Sequence, residues 1–226
     1  MKRIFTIIAL VVISLVLFIA CETSIEENGV GKHKGHEYVY LGLPSGLKWA
    51  TCNVGAEKPE EYGDYFAWGE VEPKRTYNWN TYKYCVDNYY NLSKYCTQSS
   101  YGRFDNKTVL DSEDDVATAN WGGAWRMPTI VEQQELIDNC TWTWTTQKGV
   151  NGYKVTGPNG NSIFLPAAGC MLEGTLYIAG SDGYYWSSSL YSDNPSGAYL
   201  VSFFSGYVDW GGGNRKNGQS VRPVCQ

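Results

Sequence analysis

Glycine recurs too often in this chain for long helices to hold: 25 of its 226 residues are glycine, with Ser, Asn and Thr scattered between them. Each glycine inside a helix costs roughly 1 kcal/mol against alanine. The spacing therefore favours short strands joined by many turns. One stretch carries firm helical signals. Thr129 and Glu132 form a capping box after Pro128, and Val131, Leu136 and Ile137 supply an apolar side up to Asn139-Cys140. Asp111 to Ala119 reads as a second, short helix, with Asp111, Glu113, Asp114 and Asp115 favouring its N-terminal end. Strands are expected at 37–41 and 47–50, around the turn Pro44-Ser45-Gly46. Others follow at 141–145, 152–156, 162–167, 184–189, 197–204 and 220–224. A small helical part followed by a twisted, mostly antiparallel sheet with long loops is an α+β plan.

The N-terminus reads as a targeting signal. Lys2 and Arg3 precede an uncharged stretch from Phe5 to Ala20, and Cys21 follows at once. That stretch is short for a membrane span and has the shape of a secretory signal, giving a signal peptide over 1–20. Phe18-Ile19-Ala20 before Cys21 resembles a bacterial lipobox, and the alternative is an ordinary signal peptide that leaves Cys21 free. On the lipobox reading Cys21 is diacylated and anchors the chain in the lipid bilayer. Residues 21–35 are then a lipidated tether, and the address is the cell envelope, as an outer-membrane lipoprotein, including its surface-exposed side. Beyond Cys21 lie Cys52, Cys85, Cys96, Cys140, Cys170 and Cys225. An even count in an exported chain leads us to expect disulfide bonds, with the pairing open. Cys85 and Cys96 are close enough to staple a loop.

Residues 36–226 are enough for one domain with a sizeable core. The net charge is -5 and no basic patch occurs, which argues against nucleic acid as a partner. Tyr77, Trp79, Tyr82, Tyr84, Tyr89, Tyr90, Tyr95 and Tyr101 crowd an aperiodic segment around 72–108, read as an aromatic-rich insertion wrapped on the domain. There is no Gly-x-Ser-x-Gly elbow, no His-Glu-x-x-His and no phosphate loop. The two histidines, His33 and His36, lie in or beside the tether. No catalytic residue and no cofactor is expected.

Gly180 to Gln219 is rich in Tyr, Trp, Ser, Gly, Asn and Asp, the residues of adaptable recognition surfaces. Alternation puts Trp186 and Tyr185 on opposite sides of a strand. Trp186, Trp125 and Arg222 read as internal supports, and Arg126 as the partner of an acid. The ligand-binding candidates are Tyr191, Asp193, Asn194, Tyr207, Asp209, Trp210, Asn214, Arg215 and Asn217, in two loops at 191–196 and 205–217. An indole face stacked on sugar C–H groups, with Asp and Asn bonding hydroxyls, makes a carbohydrate site. The same patch suits a protein ligand. The expected function is a lipid-anchored binding module for a glycan or protein. The alternative is a structural or assembly component of a surface complex or adhesin, built on a degenerate domain without chemistry.

Several blocks carry a family resemblance. They are Leu41-Gly42-Leu43-Pro44-Ser45-Gly46-Leu47-Lys48-Trp49-Ala50, Tyr62-Gly63-Asp64-Tyr65-Phe66-Ala67-Trp68-Gly69-Glu70, Trp121-Gly122-Gly123-Ala124-Trp125-Arg126-Met127-Pro128-Thr129, Tyr185-Trp186-Ser187-Ser188-Ser189 and Ser220-Val221-Arg222-Pro223-Val224. In this order they resemble the Fibrobacter succinogenes major paralogous domain group of exported Bacteroidetes lipoproteins. The resemblance implies a C-type-lectin-like fold. That broad fold is shared with the formylglycine-generating enzymes and with the variable proteins of diversity-generating retroelements, whose C-terminal segments form the ligand face. The calcium-binding triplets of sugar-binding C-type lectins are absent. Asp111, Glu113, Asp114 and Asp115 could ligate a hard ion, but no spacing requires it, so no metal is expected.

Overall fold

The computed structural model describes residues 29–226. The signal peptide, Cys21 and the first part of the tether lie outside the described residues. Among those described, no helix is long and apolar enough to cross a membrane.

The described residues form twelve strands and two α-helices. The strands are β1 (Val30–His33), β2 (His36–Tyr40), β3 (Lys48–Ala50), β4 (Thr141–Gln147), β5 (Val150–Thr156), β6 (Ser162–Pro166), β7 (Cys170–Leu172), β8 (Thr175–Tyr177), β9 (Asp182–Leu190), β10 (Gly197–Phe204), β11 (Tyr207–Asn214) and β12 (Val224–Cys225). The helices are α1 (Val116–Trp121) and α2 (Ile130–Asn139). This is a mixed α+β fold with short helices and long loops. The expected single sheet is divided into four antiparallel ones, ordered β1-β2-β3-β12, β4-β5-β6, β11-β10-β9 and β7-β8. Strand β1 begins inside the segment read above as tether.

Local chemistry explains the hairpins. Lys34-Gly35, Lys148-Gly149 and Glu173-Gly174 each join two strands, and both residues of every pair have positive φ. That is the two-residue turn whose twist matches the flanking strands. Helix α2 starts on the expected capping box: Glu132 N–H donates to Thr129 Oγ1, and Glu132 accepts from Thr129 N–H. Glu132 also holds Arg126 through two bonds of 2.6 and 2.7 Å. Leu136 is buried, but Val131 is 74% exposed, against expectation. Gln133 is the helix's second inward residue, and its Nε2 donates to the carbonyls of Tyr185 and Trp186 on β9.

Sheet β9–β11 separates two hydrophobic cores. Tyr185, Val201 and Phe203 point to one core, built with β2, β3, α2 and the sheet β4–β6. Trp186 and Leu200 point to the other, which includes Phe66, Trp68, Tyr77, Tyr82, Tyr84 and Tyr95. Much of the segment around 72–108, read above as a wrapped insertion, is therefore core. Aromatic burial there replaces regular secondary structure.

The expected disulfides are not formed. Cys52, Cys85, Cys96, Cys140, Cys170 and Cys225 are all free thiols. Cys96 Sγ turns to the Gln98 carbonyl at 3.0 Å instead of to Cys85. Cys140 packs on the core that holds β4–β6, and Cys225 packs with Ala50 and Trp125. Burial pushes the thiols of Cys140 and Cys225 up to about 11, so both behave as small apolar side chains.

Candidate functional site

The loop expected at 205–217 is for the most part strand β11. It pairs with β10 through the two-residue turn Ser205-Gly206, in register from Phe204 opposite Tyr207 to Gly197 opposite Asn214. Gly206 takes φ +83, which glycine adopts at no steric cost. β11 is the edge of its sheet, and none of its residues is buried although its backbone is paired along its length.

Alternation along β11 divides the candidate residues between two faces. Tyr207 and Asp209 share a face with Tyr184 and Ser202, by direct register across the sheet. Tyr207 Oη donates to Asp209 Oδ2 at 3.2 Å, and the Asp209 carboxylate raises the Tyr207 phenol. Trp210 lies opposite Val201 and points to the other side. It packs edge-on against Tyr199, which packs likewise on Tyr191. There Trp210 and Tyr199 form one wall of a groove of about 510 Å³, with Ile130, Val131 and Gln134 of α2 on the other. Trp210 and Tyr207, both 44% exposed, therefore cannot clasp one ligand between them.

The 191–196 segment is a true loop. Asn194 Oδ1 accepts from the Ser196 hydroxyl and N–H, so its side chain shapes the turn. Asp193 is exposed, and its carbonyl accepts from Gln98 Nε2 at 2.9 Å. Asn214 ends β11 and is exposed, and Asn217 is half-buried.

Arg215 is not on the surface. It is fully buried, and its guanidinium donates to Tyr82 Oη and to the carbonyls of Tyr95, Pro195 and Lys94 at 2.8–3.0 Å. It also lies 5.0 Å from the Trp68 ring centre. A weakly hydrated guanidinium can be satisfied this way without a carboxylate. Arg215 ties the segment around 82–95 to the 191–196 loop. Arg222, as expected, is a second internal support, donating to Asn53 Oδ1 and to the carbonyls of Ala50, Thr51 and Phe164.

The acidic cluster near α1 is also accounted for internally. Asp111, Glu113 and Asp114 converge, and the Lys94 ammonium sits among them at 2.7, 3.2 and 2.6 Å. Burial pushes the Asp114 carboxyl up. Lys94, the Tyr84 and Tyr95 hydroxyls and Lys83 outweigh that and hold it well below the usual carboxylate range. Asp115 turns inward to cap α1, accepting from the N–H groups of Ala117 and Thr118, and from Met127 N–H.

His36 stacks on Trp121 at 3.7 Å, and His33 Nε2 accepts from Ala124 N–H. Both histidines are engaged in packing. What the sheet and its loops define is a non-catalytic, sheet- and loop-rich module of the binding or structural kind. The chain belongs to the Lcl C-terminal domain family, whose model matches residues 42–225. Neither a curated protein nor a solved structure matches it.

Proposed function

We propose that the domain is a C-type-lectin-like binding module of the cell envelope. Acylated Cys21, after removal of a signal peptide at 1–20, anchors it as an outer-membrane lipoprotein. Its edge strand β11 and the 191–196 loop face a glycan or protein ligand. The observation that carries this reading is the edge strand itself. It exposes Tyr207, Asp209 and Trp210, while Tyr185, Trp186, Leu200, Val201 and Phe203 on β9 and β10 are buried in the two cores. Large aromatic groups held on ordered backbone lose little rotamer freedom on binding.

The test is a glycan and protein array probed with the chain and its Trp210→Ala and Tyr207→Ala variants. Loss of a bound ligand by at least one variant, with an unchanged melting temperature, supports the reading. Unchanged binding by both sinks this surface as the site. A second reading, a structural component of a surface complex, is favoured by the exposed Tyr90 and Phe104. It predicts crosslinks from those residues to an envelope protein in intact cells.

A further inference from the structure

On the side of sheet β9–β11 that carries Tyr207 and Asp209, the β7–β8 hairpin closes over a cavity of about 460 Å³. Its size falls within that of small-ligand sites. Two features set it apart from the groove beside α2. First, no charged side chain lines it. Second, Gln219 and Asn217, both in its wall, carry buried amide oxygens with no hydrogen-bond partner. Gln219 is only 3% exposed. Its backbone is fixed by two bonds to Phe66, N–H to carbonyl in each direction at 3.0 Å, which holds the side chain at the cavity. A buried amide oxygen without a donor costs roughly 1–3 kcal/mol, and such groups are rare enough in folded proteins to call for an explanation.

The cavity exists because β11 carries glycine at 211. That residue shares a face with Leu200 and Trp186, and a Cβ there would meet nothing within 4 Å. Gly213, two residues on, is closed, since a Cβ would lie 2.7 Å from Leu200 Cδ2. The open floor at 211 is therefore space that the fold leaves free, flanked by Tyr184 and Ser202.

We propose that this cavity binds a neutral sugar. Turned into the cavity from their sealed positions, the two amides each offer one acceptor and two donors, the complement of neighbouring hydroxyls that both give and take a proton. Tyr184 with Leu200 and Ile178 supplies an apolar wall for the C–H face of a ring. The uncharged lining gives no compensation to a sulfate or carboxylate, whose desolvation would go unanswered. This inference rests on the binding-module reading, but places the ligand in the cavity and not on Trp210.

The experiment is ligand-observed NMR on the full chain with neutral mono- and disaccharides: glucose, galactose, mannose, N-acetylglucosamine, maltose and cellobiose. Three variants are compared. Gln219→Met removes the unpaired amide, and Gly211→Val fills the floor without a clash. Trp210→Ala alters only the opposite face. At least one sugar is expected to bind. Gln219→Met and Gly211→Val should each weaken it by about tenfold or more, the loss of roughly one net hydrogen bond or of the space itself. Trp210→Ala should leave it unchanged. Gln219→Met should also melt at the same or a higher temperature, which a purely structural glutamine would not do. Absence of binding by all six sugars overturns the proposal, as does binding that survives both cavity variants. Binding lost with Trp210→Ala but kept in both cavity variants refutes the cavity and leaves the module reading standing. Loss in none of the three refutes the cavity and clears Trp210 as the contact.

Discussion

Arg215 provides the sharpest test of how the C-terminal segment is built. Arg215→Met keeps most of the volume and removes every donor. Three backbone carbonyls, of Lys94, Tyr95 and Pro195, then lose the partner that the guanidinium supplies. Taking about 1 kcal/mol for each, the low end for an orphaned acceptor, gives about 3 kcal/mol. The lost contact with the Trp68 ring adds about 1 kcal/mol. The expected destabilisation is about 4 kcal/mol, a large part of the 5–15 kcal/mol that holds a typical domain. Urea unfolding followed by tryptophan fluorescence reads it directly as a shift in midpoint at similar slope. Arg215→Lys should lose nearly as much, because one ammonium cannot reach four acceptors spread around a planar fork. A loss below about 1 kcal/mol in Arg215→Met would refute this reasoning. If ligand binding vanished while stability held, Arg215 would return to the surface role that its neighbours in sequence suggest.

Other outcomes follow from the same geometry. The Asp114 carboxyl is depressed in the folded state, so its contribution is complete above the unfolded carboxylate value of about 4 and is lost as the pH falls below that. An acid titration of Lys94→Met should show a weaker dependence in that range than the parent. Gly213→Val should cost about 2 kcal/mol by driving Leu200 and Trp186 apart, whereas Gly211→Val should not destabilise. Thr129→Ala should cost about 1 kcal/mol by uncapping α2. Dithiothreitol should leave the melting temperature unchanged, since the described cysteines are free thiols.

How much of this was legible in the sequence depends on whether the deciding interaction is local. The capping box of α2, the strands at β4–β6, β9 and β10, and the pairing of Arg126 with an acid follow from neighbours within a few residues. Strand β11 did not stand out, because Gly211, Gly212 and Gly213 erase the alternation that marks a strand. The two-residue turn Ser205-Gly206 between apolar runs was the signal that could have shown it. The division of Trp210 from Tyr207 depends on that strand, so it was hidden as well. Arg215 carries no local mark at all: its acceptors lie 20 to 133 residues away. Gln219 and the cavity beside it are likewise visible only once β7, β8 and β11 are brought together. The even cysteine count misled for the opposite reason. Composition counts thiols, while a bond requires that their Cβ atoms meet.

The pairing of β12 with β3 has a consequence for the order in which the chain can fold. Trp49 lies opposite Val224, and Arg222 reaches back 169 to 172 residues to Asn53, Thr51 and Ala50. Hairpins such as β4–β5 or β10–β11 can form as soon as they are made, but the first sheet stays incomplete until β12 has been made. Closure across such a separation is slow relative to local pairing. During synthesis the polypeptide therefore has no finished frame to collapse into.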